Sequence, residues 1–321
     1  MNRKGIPPIR IFSITAVLVV LFIIPLIIRD QYYQHLMILT GLAIIATVSL
    51  NLVLATGQLS IAQAAFVGIG AYCSTLLVLK IGLTFWLAFP IAGAAAGGVG
   101  VLIGLPTLKM RGVYFAIATF AFGELVRMVF TNWVSLFGGV GGILNIPAPN
   151  PIPFFGGALY FQTKGSFYYL VLLVMLITIL VNYRLLHSRI GMAFQAIEEA
   201  EALAEQSGIP VMKYKLLAFL ISSIFTGLAG SLYAHYSHYI APGFFSFWES
   251  VHFIIMAVIG GVGTVGGPVI GAVFLTLLPE VFRATKEYEM VIYAIALITV
   301  VLFLPKGLMG LLKRVTNGRG E

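Results

Sequence analysis

Apolar runs alternate with short polar connections along almost the whole chain. A helix needs roughly 20 apolar residues to cross the hydrocarbon layer of a bilayer. Runs of that kind cover 11–28, 34–55, 59–79, 84–108, 113–133, 166–185 and 216–236. The stretch 250–278 is too long for one ordinary span and is interrupted by GGVGTVGGP (260–268), so it reads as two short helices meeting at a Gly-rich turn. A last run covers 290–304. The pattern predicts an all-α, polytopic transmembrane helical bundle of about 8–10 hydrophobic segments, folded as one transmembrane domain over 1–321. Arg3, Lys4 and Arg10 precede the first run, as they would in a signal peptide. No small-residue cleavage site follows it, however, only Arg29, Asp30 and Gln31, so an uncleaved first span is expected.

Polar residues inside the runs are the first candidates for function. The third run opens with Ser60 and Gln63. These either bond neighbouring helices together or line a pathway. The fourth carries Gly93-xxx-Gly97 and Gly100-xxx-Gly104, a face built for close helix contact. The fifth carries Glu124 and Arg127. Glu124 falls about 16 Å along that span, near the midplane, where a lone charge is expensive. Three residues apart on a helix, the two can pair. They are either a self-neutralised structural pair or a polar step on a substrate path. Residues 137–165 are rich in Gly and Pro, with Lys164 as their only charge, and predict a loop shaped by turns rather than helices, part of an external loop over 134–165. The HYSHY stretch (235–239) holds two histidines without an evident third ligand and reads as part of an interfacial aromatic belt rather than a metal site.

One polar island interrupts the series, at 184–215. It holds Glu198, Glu199, Glu201 and Glu205 between Arg184, Arg189, Lys213 and Lys215. Residues 192–206 contain no Gly or Pro, Gly208 supplies a C-terminal cap, and Pro210 blocks continuation. Ala193, Ile197, Ala200 and Ala204 fall on one narrow face. A short amphipathic helix is predicted, either a solvated connection or a docking element for a soluble partner.

Composition fixes the class. The chain is 60% hydrophobic and 9% charged, against roughly 25% charged for soluble domains. Its net charge of +8 sits at the tails and short loops, as membrane orientation requires, and implies no nucleic-acid partner. Ten crossings place both termini, Lys109, Arg111 and the island on the cytoplasmic side, and the 134–165 loop outside; Lys80 is a weak exception. Cys73, the only cysteine, reads as a buried inert thiol. No phosphate-cradling loop, HExxH or GxSxG motif is present, so neither a cofactor nor an enzymatic activity is expected.

Five stretches together resemble a known family. GQLSIAQAAFVGIGAY (57–72), RGVYFAIATFAFGELVR (111–127), SRIGMAFQAIEEAEALAEQSGI (188–209), KLLAFLISSIFTGLAGSLYAHY (215–236) and GGVGTVGGPVIGA (260–272) are similar, in order, to signatures of the LivM-type permease subunits of ABC importers for branched-chain amino acids. The resemblance implies a permease half that pairs with a homologous second permease, two cytosolic ATP-binding subunits and an extracytoplasmic substrate-binding protein, in a bacterial or archaeal inner membrane. It implies an ATPase-coupling role for Glu199, Glu201, Ala204, Glu205 and Gly208, and leaves Ser60, Gln63, Glu124 and Arg127 as substrate-path candidates. The chain has Ala62-Gln63 where the family often has Gly-His, and Glu198 where it often has a basic residue. Related permeases resemble importers of urea or amides. A proton-coupled secondary transporter or channel is the alternative class, with Glu124 as the titrating group.

Overall fold

The computed structural model describes residues 19–28, 30–154, 157–282 and 307–310. The run expected at 290–304 and the basic tails lie outside them, as does the first part of the run at 11–28. Among the described residues, six helices are long and apolar enough to cross a membrane. They are α1 (Gln31–Leu54), α2 (Gln63–Ile81), α3 (Phe85–Thr107), α4 (Val113–Asn132), α5 (Lys164–Leu186) and α7 (Val211–Ser237). Between α5 and α7 lies α6 (Arg189–Gln206); after α7 come the two shorter helices α8 (Phe247–Gly260) and α9 (Gly266–Phe282). The all-α bundle is as predicted, and most spans start and stop within a few residues of their apolar runs.

α1 is the central post. Asp30 caps its start by accepting from Tyr32 N at 2.8 Å. From Ile38 to Leu54 nearly every side chain is buried. A helix apolar all round must be surrounded by others, and α1 packs on α5, α7, α8 and α9. The stripe predicted on α3 meets α7: a Cβ on Gly93 would stand 2.7 Å from Leu228, and one on Gly97 2.6 Å from Ile224. A side chain at either glycine would have to push Leu228 or Ile224 aside, so the glycines let the two helices pack closely. Helix 19–27 leans on α5, where the hydroxyls of Tyr168 and Tyr169 donate to Leu21 O and Phe22 O.

The bundle has two distinguishable ends. At one end lie α6, Arg111 and the start of α7, tied together through Glu201. At the other end lies the loop after α4. There β1 (Ile143–Leu144) pairs antiparallel with β4 (Tyr239–Ile240), Ile143 opposite Ile240, and β2 (Ile152–Phe154) pairs with β3 (Gly157–Leu159). This loop is more regular than its composition predicts. It opens with a single helical turn, Val134–Phe137, stopped by Gly138 at φ 79°; β1 forms because 239–240 offers it an edge, while β2 and β3 pair with each other inside the loop. Lys80, the weak exception to the charge rule, is at this end, donating to Ser135 O.

α8 and α9 meet at the Gly-rich turn as expected, and a distant residue holds the turn. Asn51 of α1, fully buried, donates to Thr264 O at 2.9 Å and accepts from Gly263 N at 3.0 Å. Thr264 in turn caps α9 by accepting from Gly267 N. Residues 307–310 return to the same place: a Cβ on Gly307 would lie 2.6 Å from Gly261 N. α8 starts inside the bundle, since Ser250 Oγ accepts from Ala64 N in the first turn of α2.

Candidate coupling segment and translocation path

α6 begins at Ser188, whose hydroxyl accepts from Ile190 N at 3.1 Å. It is not the continuous helix its composition predicts. Ala200 has φ −157° and ψ 89°, which breaks α6 into two pieces. Local propensity gives no hint of this, because the break is tertiary: it falls where Glu201 turns into the bundle. Glu201 Oε2 lies 2.8 Å from Lys215 Nζ on α7 and 3.5 Å from Arg111 Nε just before α4. One carboxylate thus ties the island to the starts of two spans. Just before the break, Gly57, at φ +73°, comes so close that a Cβ there would stand 3.3 Å from Glu198 Cα. Both its backbone conformation and that approach call for glycine.

The small-residue face of α6 points inward. Ala193, Ile197 and Ala204 are buried, the last two against Val211 and its neighbours. Ala204 is therefore an internal contact of this chain. The surface left free carries Glu198, Glu199, Glu205 and Gly208, with Met192 and Leu203 as exposed apolar side chains at 63% and 64%. Neither apolar residue stands out in the sequence, where they look like ordinary helix formers. Partial burial, and then the neighbouring Glu199, push the Glu198 carboxyl above its usual range.

Ser60 and Gln63 sit at a junction of helices. Both are fully buried. Residues 58–62 are not helical, and a buried stretch of that kind must find partners for its amides. Ile61 N donates to Thr119 Oγ1 at 3.1 Å and Ala62 N to Ser60 Oγ at 3.4 Å. The Gln63 amide donates to Ala46 O of α1 at 3.0 Å and to Thr226 Oγ1 of α7, with Ser222 Oγ at 3.5 Å. It ties three helices together about 12 Å along α1 from its Leu54 end.

Glu124 and Arg127 do pair. Arg127 Nε and one terminal nitrogen lie 2.8 and 2.7 Å from the same oxygen, Glu124 Oε2, and the side chains are 34% (Arg127) and 24% (Glu124) exposed. Glu124 also borders a small hollow with Ile61, Ser246 and Ser250, so the fold sets it beside the junction and the start of α8.

His235 is fully buried rather than a member of an interfacial belt. Its Nδ1 donates to Pro147 O at 2.7 Å, and His238 Nδ1 to Ile146 O at 2.7 Å, so the two rings pin the loop after α4 onto the end of α7. Among the described residues no cluster of His, Cys, Asp or Glu is able to hold a metal.

A cavity of about 480 Å³ lies between α1, α7, α8 and α9. Its walls are mostly apolar, among them Leu42, Ala46, Phe253 and Met256, and its polar groups are Tyr233, Glu249, His252 and Thr276. Sequence reading passed over Glu249 and His252, because they precede a Gly-rich turn and look like the flank of a span. Their spacing of three on a helix was the available signal.

The family model described as "Branched-chain amino acid transport system / permease component" matches residues 32–302. The chain belongs to this family. It is 33% identical to the high-affinity branched-chain amino acid transport system permease protein LivM of Escherichia coli (strain K12), over 88% of this chain and 72% of that one. It is also 30% identical to the E. coli K12 protein LivH, of the same transport system by name, over 43% of this chain and 44% of that one. The E. coli K12 ribose import permease protein RbsC is 24% identical over 82% of each chain. No solved structure matches. The protein is accordingly a multi-pass membrane permease component rather than an enzyme, and the permease's polar island, junction and cavity all lie within the matched residues.

Proposed function

We propose that the chain is one permease subunit of an ATP-driven importer that moves branched-chain or closely related amino acids handed over by an extracytoplasmic binding protein. It works beside a homologous second permease and two cytosolic ATP-binding subunits. The α6 end faces the cytoplasm and the loop after α4 faces outside. The observation that carries the reading is Glu201, which fastens α6 to both Lys215 and Arg111. A push on α6 by a nucleotide-binding partner then reaches α4 and α7 directly, and rigid helices carry it across the membrane. Names of relatives that transport branched-chain amino acids support the substrate class. Glu199, Glu205 and Gly208, with Met192 and Leu203, form the surface offered to the ATPase, and Ala204 supports that surface from within.

The test is reconstitution of the permease with its neighbouring ATPases, sister permease and binding protein in liposomes. Leucine-loaded binding protein should stimulate ATP hydrolysis and uptake, with the proton gradient collapsed. Uptake that follows the proton gradient and ignores ATP overturns the reading.

A further inference from the structure

The 480 Å³ cavity has a neighbour. A second one, of about 450 Å³, lies toward the end that carries the loop after α4 and is lined by His35, Lys164, His235, Tyr236 and His238 among others. Leu39 of α1 and Tyr233 of α7 line both cavities, so these two side chains form the wall between them. The two chambers differ in charge. Among the described residues, the outer lining holds an ammonium and three imidazoles and no carboxylate. The inner lining holds the Glu249 carboxylate in the first turn of α8, with His252 one turn on, among aliphatic and aromatic side chains. Each chamber also has buried hydrogen-bonding capacity left over: His235, fully buried, has no hydrogen-bond partner at Nε2 in the outer one, and Thr276 Oγ1 has none in the inner one.

We infer that the two cavities are successive stations of one amino-acid path through this chain, with Tyr233 and Leu39 as the gate and Glu249 as the group that receives the substrate ammonium. The inference rests on the importer reading above and deepens it. A zwitterion with an aliphatic side chain fits the order of groups met from outside. Lys164 draws the carboxylate into the outer chamber, and His235 Nε2, left as an acceptor because Nδ1 carries the proton given to Pro147 O, takes a hydrogen bond from the ammonium. Beyond the gate, Glu249 matches the ammonium, Thr276 offers a free hydroxyl, and Leu42, Phe253 and Met256 take the side chain. Chambers of this size are within the range of small-molecule sites. Glu249 and His252 stand open to the cavity rather than sealed in the bundle, and the N-terminal amides of α8 favour an anion in its first turn. Glu124 cannot fill this role, since Arg127 already neutralises it.

The experiment uses the full reconstituted transporter. Glu249→Gln should lower the preference for leucine over its hydroxyl analogue, 2-hydroxy-4-methylpentanoate, by about tenfold to a hundredfold in uptake, the value of a lost charged hydrogen bond. An unchanged preference overturns the role of Glu249. Where that variant fails to assemble, single cysteines decide, placed at Leu39 and Met256 in a Cys73→Ser background and probed with a small thiol reagent. Leucine delivered by the binding protein should slow labelling at both positions several-fold. Labelling indifferent to leucine, in a complex that still imports leucine on ATP, overturns the path through this chain while leaving the importer reading intact. Wild-type complex that shows no ATP-driven uptake instead removes the importer reading, and this inference with it.

Discussion

Lys215 Nζ lies 2.8 Å from Glu201 Oε2, with the lysine side chain 1% exposed and the glutamate 23% exposed. The pair is asymmetric, and so are its mutants. Glu201→Gln leaves an ammonium buried without a counter-charge, which costs about 3–5 kcal/mol. Lys215→Met removes the buried charge and leaves Glu201 beside Arg111, so the loss should stay near 1 kcal/mol. The double variant should be more stable than Glu201→Gln alone. Thermal unfolding of the purified complex measures this order. Equal losses for the two single variants would show that Lys215 is not held by Glu201.

Glu198 gives the same segment a pH dependence. Its carboxyl is raised above the usual value by burial first and by Glu199 second. The folded protein therefore favours the neutral form. The cost of ionisation is absent below the ordinary carboxylate pKa and grows as pH rises through the raised one. Glu198→Gln should stabilise the protein at pH 7–8, by less than about 1 kcal/mol because the group is partly exposed and screened. The gain should vanish near pH 4. A gain that persists there would assign the effect to packing against Gly57 instead.

Much of this architecture is legible in the sequence, for a physical reason. Apolar runs, Gly stripes and the turn at 260–268 are local patterns, and the membrane rewards each one locally. What escapes is whatever two distant segments decide together. Asn51 looks like a stray polar residue until it meets Gly263 and Thr264. Ala200 looks helical until Glu201 is drawn toward Lys215. Glu249 looks like a flank until α8 starts inside the bundle and brings it to a cavity. The pairing of Glu124 with Arg127 was legible because it is itself local, three residues along one helix.

Gln63 separates a structural from a substrate-contacting role. Its amide holds Ala46, Thr226 and Ser222 at the junction of three helices. Gln63→Leu should destabilise the protein by about 1–3 kcal/mol, because hydroxyls and a carbonyl lose a buried donor. The surviving folded fraction should import substrate with an unchanged half-saturation concentration. A normal melting temperature together with a raised half-saturation concentration would place Gln63 on the path after all.

The pair in α4 poses the sharpest alternative. Two of the three guanidinium nitrogens of Arg127, Nε and Nη2, approach one oxygen of Glu124, which leaves Glu124 Oε1 without a role in the contact. A substrate clamp of the kind guanidinium favours would present its fork to a ligand carboxylate, and here the Nε–Nη2 edge of that fork is already committed to Glu124. Self-neutralisation is therefore the expected role. Glu124→Gln and Arg127→Met should each lower folded yield, since each leaves one charge unmatched within the membrane span. The double variant should recover most of that yield and import leucine within about threefold of wild type, because the two losses are coupled rather than additive. Expression, thermal stability and uptake measured on the two single variants and the double variant decide the matter. A double variant that folds well and transports nothing would put Glu124 and Arg127 on the substrate path, and would move that path from the α1, α7, α8 and α9 cavity to the face of α4.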